Sequence, residues 1–161
     1  MESFDVYSLF NINVVRGKGC YVFDDKGNKY LDLYGGHAVV QIGHSHPHYI
    51  EMVTNQLNKI AFYSNSVFNE VQQDFISKLA EQCGYPDYSV FLINSGAEAI
   101  ENAIKLASFH TGRTKVLAFN KAFHGRTSLA VQTSDFDSFK SPINQTNSVK
   151  FVSLNNFEAV R

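Results

Sequence analysis

The sequence predicts an α/β protein with a small antiparallel N-terminal portion, followed by the start of a mostly parallel sheet with helices on both faces. Three observations predict it. Two short apolar and aromatic runs, at 20–23 and 29–33, flank the turn segment Asp24-Asp25-Lys26-Gly27-Asn28, which is the pattern of a β-hairpin. From Tyr88 onward, short apolar strands alternate with helix-length segments, the rhythm of βαβ units and a parallel sheet. A shift in composition near Ala61–Phe68 separates the two parts.

Each element has its own local cause. Gly27 can take the positive φ that the hairpin turn needs, and Gly35-Gly36 ends the second strand. Pro47 suits the first turn of a helix running to about Ile60, with Ile50, Val53, Leu57 and Ile60 as its apolar stripe. A second helix is expected from about Glu70 to Gln82, with Val71, Phe75, Leu79 and Ala80 turned inward and Gly84 as its stop. Tyr88–Ile93 reads as a nearly continuous apolar strand, Gly96–His110 as a helix, Lys115–Phe119 as a second strand and Val149–Val152 as a third. On the long helix, Ala97, Ile100, Ala103, Ile104 and Ala107 form one apolar face, and Glu101 to Lys105 is a favourable surface pair. Residues 1–60 are thus expected to form an N-terminal portion built on the hairpin, and 61–161 the first part of a larger domain.

Composition narrows the function. A chain of 161 residues with 44% hydrophobic and 18% charged residues fits a globular domain with a core rather than a disordered segment. The formal net charge is −1 and no block of like charge occurs, which argues against a nucleic-acid partner. Cys20 and Cys83 lie far apart and outside any CxxC spacing, so they read as reduced, partly buried thiols of a cytosolic protein. The N-terminus Met1–Asp5 is acidic and lacks the basic and apolar regions of a signal peptide. No segment has the length of a membrane span, so the expected compartment is the cytoplasm.

Two segments carry the chemistry. In Phe91-Leu92-Ile93-Asn94-Ser95-Gly96-Ala97-Glu98, an apolar run enters a small-residue turn that opens a helix. Ser95 is well placed as N-cap, and the amides of Gly96 and Ala97 would point out of the positive end of the helix, where an anion such as a phosphate is favoured. Ser95-Gly96-Ala97-Glu98 is equally a capping box, which stabilises a helix by about 1 kcal/mol with no ligand, and on the tetrapeptide alone the cap is the favoured reading. The second segment is Ala122-Phe123-His124-Gly125-Arg126-Thr127, after the second strand, at the end of the sheet where α/β proteins place ligands. Phe123 offers a flat face for an aromatic ring, or packs in the core. Arg126 offers a bidentate fork for a carboxylate, or makes a surface salt bridge. Lys121 and His124 are candidate acids or bases, against a solvated lysine and a histidine that orients the turn.

Taken together these segments resemble the class III (ornithine-type) pyridoxal-phosphate aminotransferases, in particular the acetylornithine/succinylornithine group. The likeness runs from about Leu9 to the end of the chain. It is carried by Tyr30-Leu31-Asp32-Leu33-Tyr34-Gly35-Gly36-His37-Ala38-Val39, Gly43-His44-Ser45-His46-Pro47, Asn94-Ser95-Gly96-Ala97-Glu98-Ala99 and Phe123-His124-Gly125-Arg126-Thr127, in that order. The resemblance implies an aspartate aminotransferase-like fold, with 1–60 in the small domain and 61–161 as the first part of the cofactor-binding large domain. It implies pyridoxal 5'-phosphate as cofactor, held by Ser95, Gly96, Ala97 and Phe123, with Arg126 binding a substrate carboxylate. It also implies a homodimer in which Gly35, Gly36 and the Tyr63-Ser64-Asn65 turn face the partner's cofactor. The implied reaction passes the amino group of N-acetylornithine or N-succinylornithine to 2-oxoglutarate, in arginine biosynthesis. Ile100 and His37 depart from residues common in the family.

The family's Schiff-base lysine, and the aspartate that pairs with the pyridine nitrogen, match nothing in this chain: Lys105, Lys115 and Lys121 lie in other contexts. The sequence therefore reads as an N-terminal fragment with no catalytic residue of its own and no transamination by itself. The alternatives are another class III type, acting on ornithine or 4-aminobutyrate, and a non-catalytic truncated module. A metal site at His44, His46 and His48, with His37 near, is disfavoured because Pro47 breaks the alternation and no carboxylate or cysteine cluster accompanies it.

Overall fold

Asp24 organises the N-terminal hairpin. In the computed structural model, which describes Phe4 and residues 6–161, its carboxylate is buried and accepts hydrogen bonds from the amides of Lys26 (3.0 Å) and Asn28 (2.7 Å). The Asn28 side-chain amide and the Tyr30 hydroxyl, each at 2.8 Å, complete the set. Met1, Glu2, Ser3 and Asp5, and with them most of the acidic N-terminus, lie outside the described residues. Gly27 closes the turn with φ 83°. The hairpin joins β2 (Tyr21–Asp24) to β3 (Lys29–Leu31), with Val22 opposite Tyr30. A third strand that the sequence reading did not anticipate, β1 (Val14–Lys18), pairs antiparallel with β2. Its residues Val-Val-Arg-Gly-Lys do not alternate, and the register shifts between Val14 and Arg16, so no period-2 pattern was there to be read.

The chain forms two compact units, Met1–Glu70 and Val71–Arg161. In the first, Asp32 and His44 tie the end of the sheet to the segment beyond it. His44 Nε2 lies 2.7 Å from Asp32 Oδ2, and Asp32 Oδ1 accepts from the amides of Tyr34 and Gly35. His44 also exchanges two backbone hydrogen bonds with Gly19. A Cβ on Gly17 would stand 2.6 Å from His44, so only glycine admits the ring there. After Tyr34 comes α1 (Gly35–Ala38), one turn whose residues all have φ near +60°: it is left-handed, and His37 and Ala38 take that strained region without being glycine. His44, the first residue of the disfavoured metal set, is thereby engaged with a carboxylate.

α2 (Pro47–Lys59) begins on its proline, and α3 (Glu70–Cys83) stops at Gly84 with φ 70°, both as the sequence predicts. The inward face expected of α3 holds in part: Leu79 and Ala80 are half-buried while Val71 and Phe75 are exposed, and the α2 stripe of Ile50, Val53, Leu57 and Ile60 is exposed. Cys20 and Cys83 are free thiols, exposed rather than partly buried.

In the second unit, Tyr88–Ile93 carries no regular secondary structure: no described residue runs alongside to complete a ladder, and an apolar run alone cannot supply one. α4 (Gly96–Thr111) follows, ended by Gly112 at φ 67°. β4 (Val116–Phe119) and β5 (Val149–Val152) pair in parallel, Val116 opposite Val149. Between them lie α5 (Ser128–Gln132) and two short 3-10 turns, Asp137–Phe139 and Pro142–Asn144, and α6 (Phe157–Val160) closes the described chain. Among the described residues the buried apolar core is small, Ala118, Ala130, Val131 and Val152, and Ser134 is fully buried. Among the described residues no helix is long and apolar enough to cross a membrane.

Hydrogen bonds hold two carboxyls below their ordinary range, chiefly from the Asn28 side chain for Asp24 and from His44 for Asp32. A depressed folded-state pKa adds stability that is complete above the ordinary carboxyl value and is lost as pH falls through the lower folded value. Urea midpoints followed by tyrosine fluorescence are therefore expected to hold steady from neutral pH to about pH 5 and to drop below it. Asp24→Asn is expected to lower the neutral midpoint and flatten the acid limb. An unchanged acid limb in that variant would contradict the role given to Asp24.

Candidate cofactor site at the N-terminus of α4

Ser95 caps α4 with extended backbone (φ −150°, ψ 158°), and its Oγ accepts from the amide of Glu98 at 3.2 Å. Glu98 reaches back, its Oε2 accepting from the amides of Ser95 (3.1 Å) and Asn94 (2.7 Å). The capping box is therefore complete. It satisfies the amides of Asn94, Ser95 and Glu98, and it leaves two: those of Gly96 and Ala97 have no acceptor among the described residues. Nothing lies within 4 Å of the place a Gly96 Cβ would occupy. The cap and the anion cup, alternatives in the sequence, coexist because they use different amides. Two N–H donors at the positive end of a 16-residue helix, beside open space, suit a small group that only accepts hydrogen bonds, and a phosphate is such a group.

The Phe123–Thr127 turn is fastened to this helix. Gly125, at φ 133°, approaches so closely that a Cβ on it would stand 2.6 Å from Ala97 Cβ and 3.0 Å from Ala97 Cα. On the other side, the His124 amide donates to Ser134 Oγ (2.9 Å), and that hydroxyl faces the carbonyls of Ala130 (2.8 Å) and Gly125 (3.2 Å). Upstream, the Lys121 amide donates to Asp135 Oδ2 (2.7 Å), and the Asp135 amide to the Ala122 carbonyl (2.9 Å). These bonds fix the backbone on both sides of Phe123.

Glu101 departs from expectation. Instead of pairing with Lys105 on the helix surface, its Oε1 accepts from Thr127 Oγ1 (2.7 Å) and from the amides of Leu129 (2.6 Å) and Ala130 (3.1 Å). The reason is local: Thr127 stands at the N-cap of α5 but its side chain makes no cap, so the first amides of the helix need an acceptor from elsewhere.

Ser95, Gly96 and Ala97 thus sit together, and the Gly125–Ala97 contact brings the turn bearing Phe123 and Arg126 onto the same helix end. Phe123 is 55% exposed, its ring meeting Phe136 (centroids 6.3 Å apart, 70°) and Phe139 (6.1 Å, 77°) at steep angles. Arg126 is exposed on the turn. Glu101, Ser134 and Asp135 support the site and were missed. No signal in the sequence marked Glu101, because Thr127-Ser128 reads there as a start with its own cap. Ser134 and Asp135 gave none.

Against known proteins, the model of the family described as aminotransferase class-III matches residues 4–159. The acetylornithine aminotransferase of Archaeoglobus fulgidus is 39% identical over 155 residues, 96% of this chain and 41% of that protein. The LysW-aminoadipate semialdehyde/glutamate semialdehyde transaminase of Sulfolobus acidocaldarius is 33% identical over 159 residues, 98% of this chain and 41% of that one. The crystal structure of the ornithine aminotransferase from Toxoplasma gondii superposes with a TM-score of 0.88 at 26% identity, covering 98% of this chain and 39% of that one. The chain spans 41% of the length of each of these two curated relatives. It belongs to the class III aminotransferases, whose cofactor is pyridoxal 5'-phosphate.

Gly125→Ala is expected to lower stability by about 1–3 kcal/mol in thermal or urea melts, because the new methyl collides with Ala97 on a backbone already at positive φ. Adding Ala97→Gly should recover part of the loss. A variant melting with the parent would show that the contact is loose.

Proposed function

We propose that this chain is the N-terminal part of a pyridoxal-phosphate-dependent aminotransferase that takes the amino group of N-acetylornithine or N-succinylornithine and gives it to 2-oxoglutarate, in arginine biosynthesis. The observation that carries the reading is the pair of open amides at Gly96 and Ala97, with the Phe123–Thr127 turn packed on the same helix end. Bound there, pyridoxal phosphate would supply the electron sink that lets an amino group leave one carbon skeleton for another.

The roles of this chain's residues follow from their chemistry. Ser95 completes the cap and so fixes the direction of the Gly96 and Ala97 amides, which hold the phosphate. Phe123 presents a flat apolar face to the pyridine ring. Arg126 presents two parallel N–H groups to a substrate carboxylate. Residues 1–60 belong to the small domain and 61–161 to the large, cofactor-binding one. The lysine of the covalent step lies in the part of the enzyme outside these 161 residues. The working enzyme is a cytoplasmic homodimer, with Gly35, Gly36 and the Tyr63–Asn65 turn directed to the partner's cofactor.

A second substrate reading, LysW-aminoadipate semialdehyde or glutamate semialdehyde chemistry, is favoured by the relative from Sulfolobus acidocaldarius. The test is glutamate formation from 2-oxoglutarate by the full-length protein, offered N-acetylornithine, N-succinylornithine, ornithine and 4-aminobutyrate in turn. Turnover of an acylated ornithine above the others is expected, and no turnover of any of these four amines would refute the acylornithine reading.

The cup has its own test. Gly96→Pro removes one open amide at the first helical position, where proline is accepted and where the structure has room. Stability is expected to hold or to rise by about 0.4–1 kcal/mol. The dissociation constant for pyridoxal phosphate is expected to rise about tenfold or more, the worth of one hydrogen bond to a charged group. Unchanged affinity would remove Gly96 from the site.

A further inference from the structure

Ala97 and Glu101 are four residues apart on α4 and so share a face, one turn above the other. Gly125 rests on Ala97, and Thr127 hangs from Glu101. The two attachments differ in kind. The first is a steric stop: it prevents the turn from coming closer but does little to keep it from swinging away, since a single methyl contact contributes only a few tenths of a kcal/mol of dispersion. The second is a tether of three hydrogen bonds to one carboxylate oxygen, reaching residues 26 to 29 positions further along the chain. A stop and a tether on one helix face fix both the height and the rotation of the turn, and with them the directions in which Phe123 and Arg126 leave the backbone.

We propose that Glu101 is a positioning residue, holding the Phe123–Thr127 turn in register with the Gly96 and Ala97 amides so that a ligand's ring and its phosphate are bound as one unit. The inference rests on the cofactor site proposed above. It differs from a helix cap pure and simple in what it predicts. A cap supports α5 and lowers stability when removed, whatever the ligand. A positioning residue lowers affinity for a ligand that needs both cup and turn, and leaves affinity for one that needs the cup alone.

The experiment compares two probes on the full-length protein. Pyridoxine 5'-phosphate carries ring and phosphate but no aldehyde, so it reports non-covalent binding, and inorganic phosphate reports the cup. Titration calorimetry on the parent and on Glu101→Ala is expected to show pyridoxine phosphate weakened about tenfold and inorganic phosphate unchanged. Glu101→Gln keeps an acceptor oxygen at the same reach and should restore most of the affinity. Thr127→Val removes one of the three bonds and should shift binding in the same direction by less. If Glu101→Ala does not fold, Thr127→Val carries the comparison alone. Equal weakening of both probes, or of neither, overturns the positioning role while leaving the cofactor site intact. Failure of the parent to bind pyridoxine phosphate at all overturns the site itself and this inference with it.

Discussion

The close approach of Gly125 to Ala97 is the steric condition on which the candidate site in the second unit depends. With no side chain on one partner and a methyl on the other, two backbones come together where any larger residue would hold them apart. The loop after β4 can therefore lie on the start of α4, and the residues that carry an aromatic ring and a guanidinium stand within two positions of that contact. Ser134 and Asp135 brace the loop from behind, so its shape does not rest on one contact.

The α4 terminus also shows how a stabilising motif and a binding feature can share four residues. Glu98 places a negative charge near a site suited to an anion, which repels a second one. Its carboxylate is turned back onto the amides of Asn94 and Ser95, where it both completes the cap and is neutralised in part by their dipoles. The remaining amides keep the orientation that the cap gives them. A phosphate bound there would gain pre-set donors rather than having to order them, and pre-ordering is what separates a binding site from an ordinary helix start.

What could be read from the sequence divides by range. The Gly27 turn, the Pro47 start of α2, the Gly84 stop of α3 and the S-x-x-E box of α4 are local signals, each decided by a few neighbouring residues, and each appears as expected. β1 was missed because its non-alternating, bulged sequence carries no period of its own. Tyr88–Ile93 was misread because strand propensity is a property of a segment, while a strand needs a partner. The apolar stripes of α2 and α3 were seen correctly as stripes, but a stripe states only which face would be buried. In the candidate site, Ser95, Gly96, Ala97, Phe123 and Arg126 were legible as motif residues. Their supports were not, since Glu101 meets its partners 26 to 29 residues away and Ser134 acts from inside a core that only the fold creates.

The central claim is that the amides of Gly96 and Ala97 form the phosphate seat of a pyridoxal-phosphate enzyme. The most direct measurement follows those two amides by nuclear magnetic resonance in protein isotope-labelled at glycine and alanine nitrogens, as pyridoxal phosphate is added. The account predicts large, saturable downfield shifts of Gly96 and Ala97, with the Gly125 amide moving at the same midpoint because the turn sits on the same helix end. Saturable binding that leaves both amides unmoved would place the phosphate elsewhere and contradict the account.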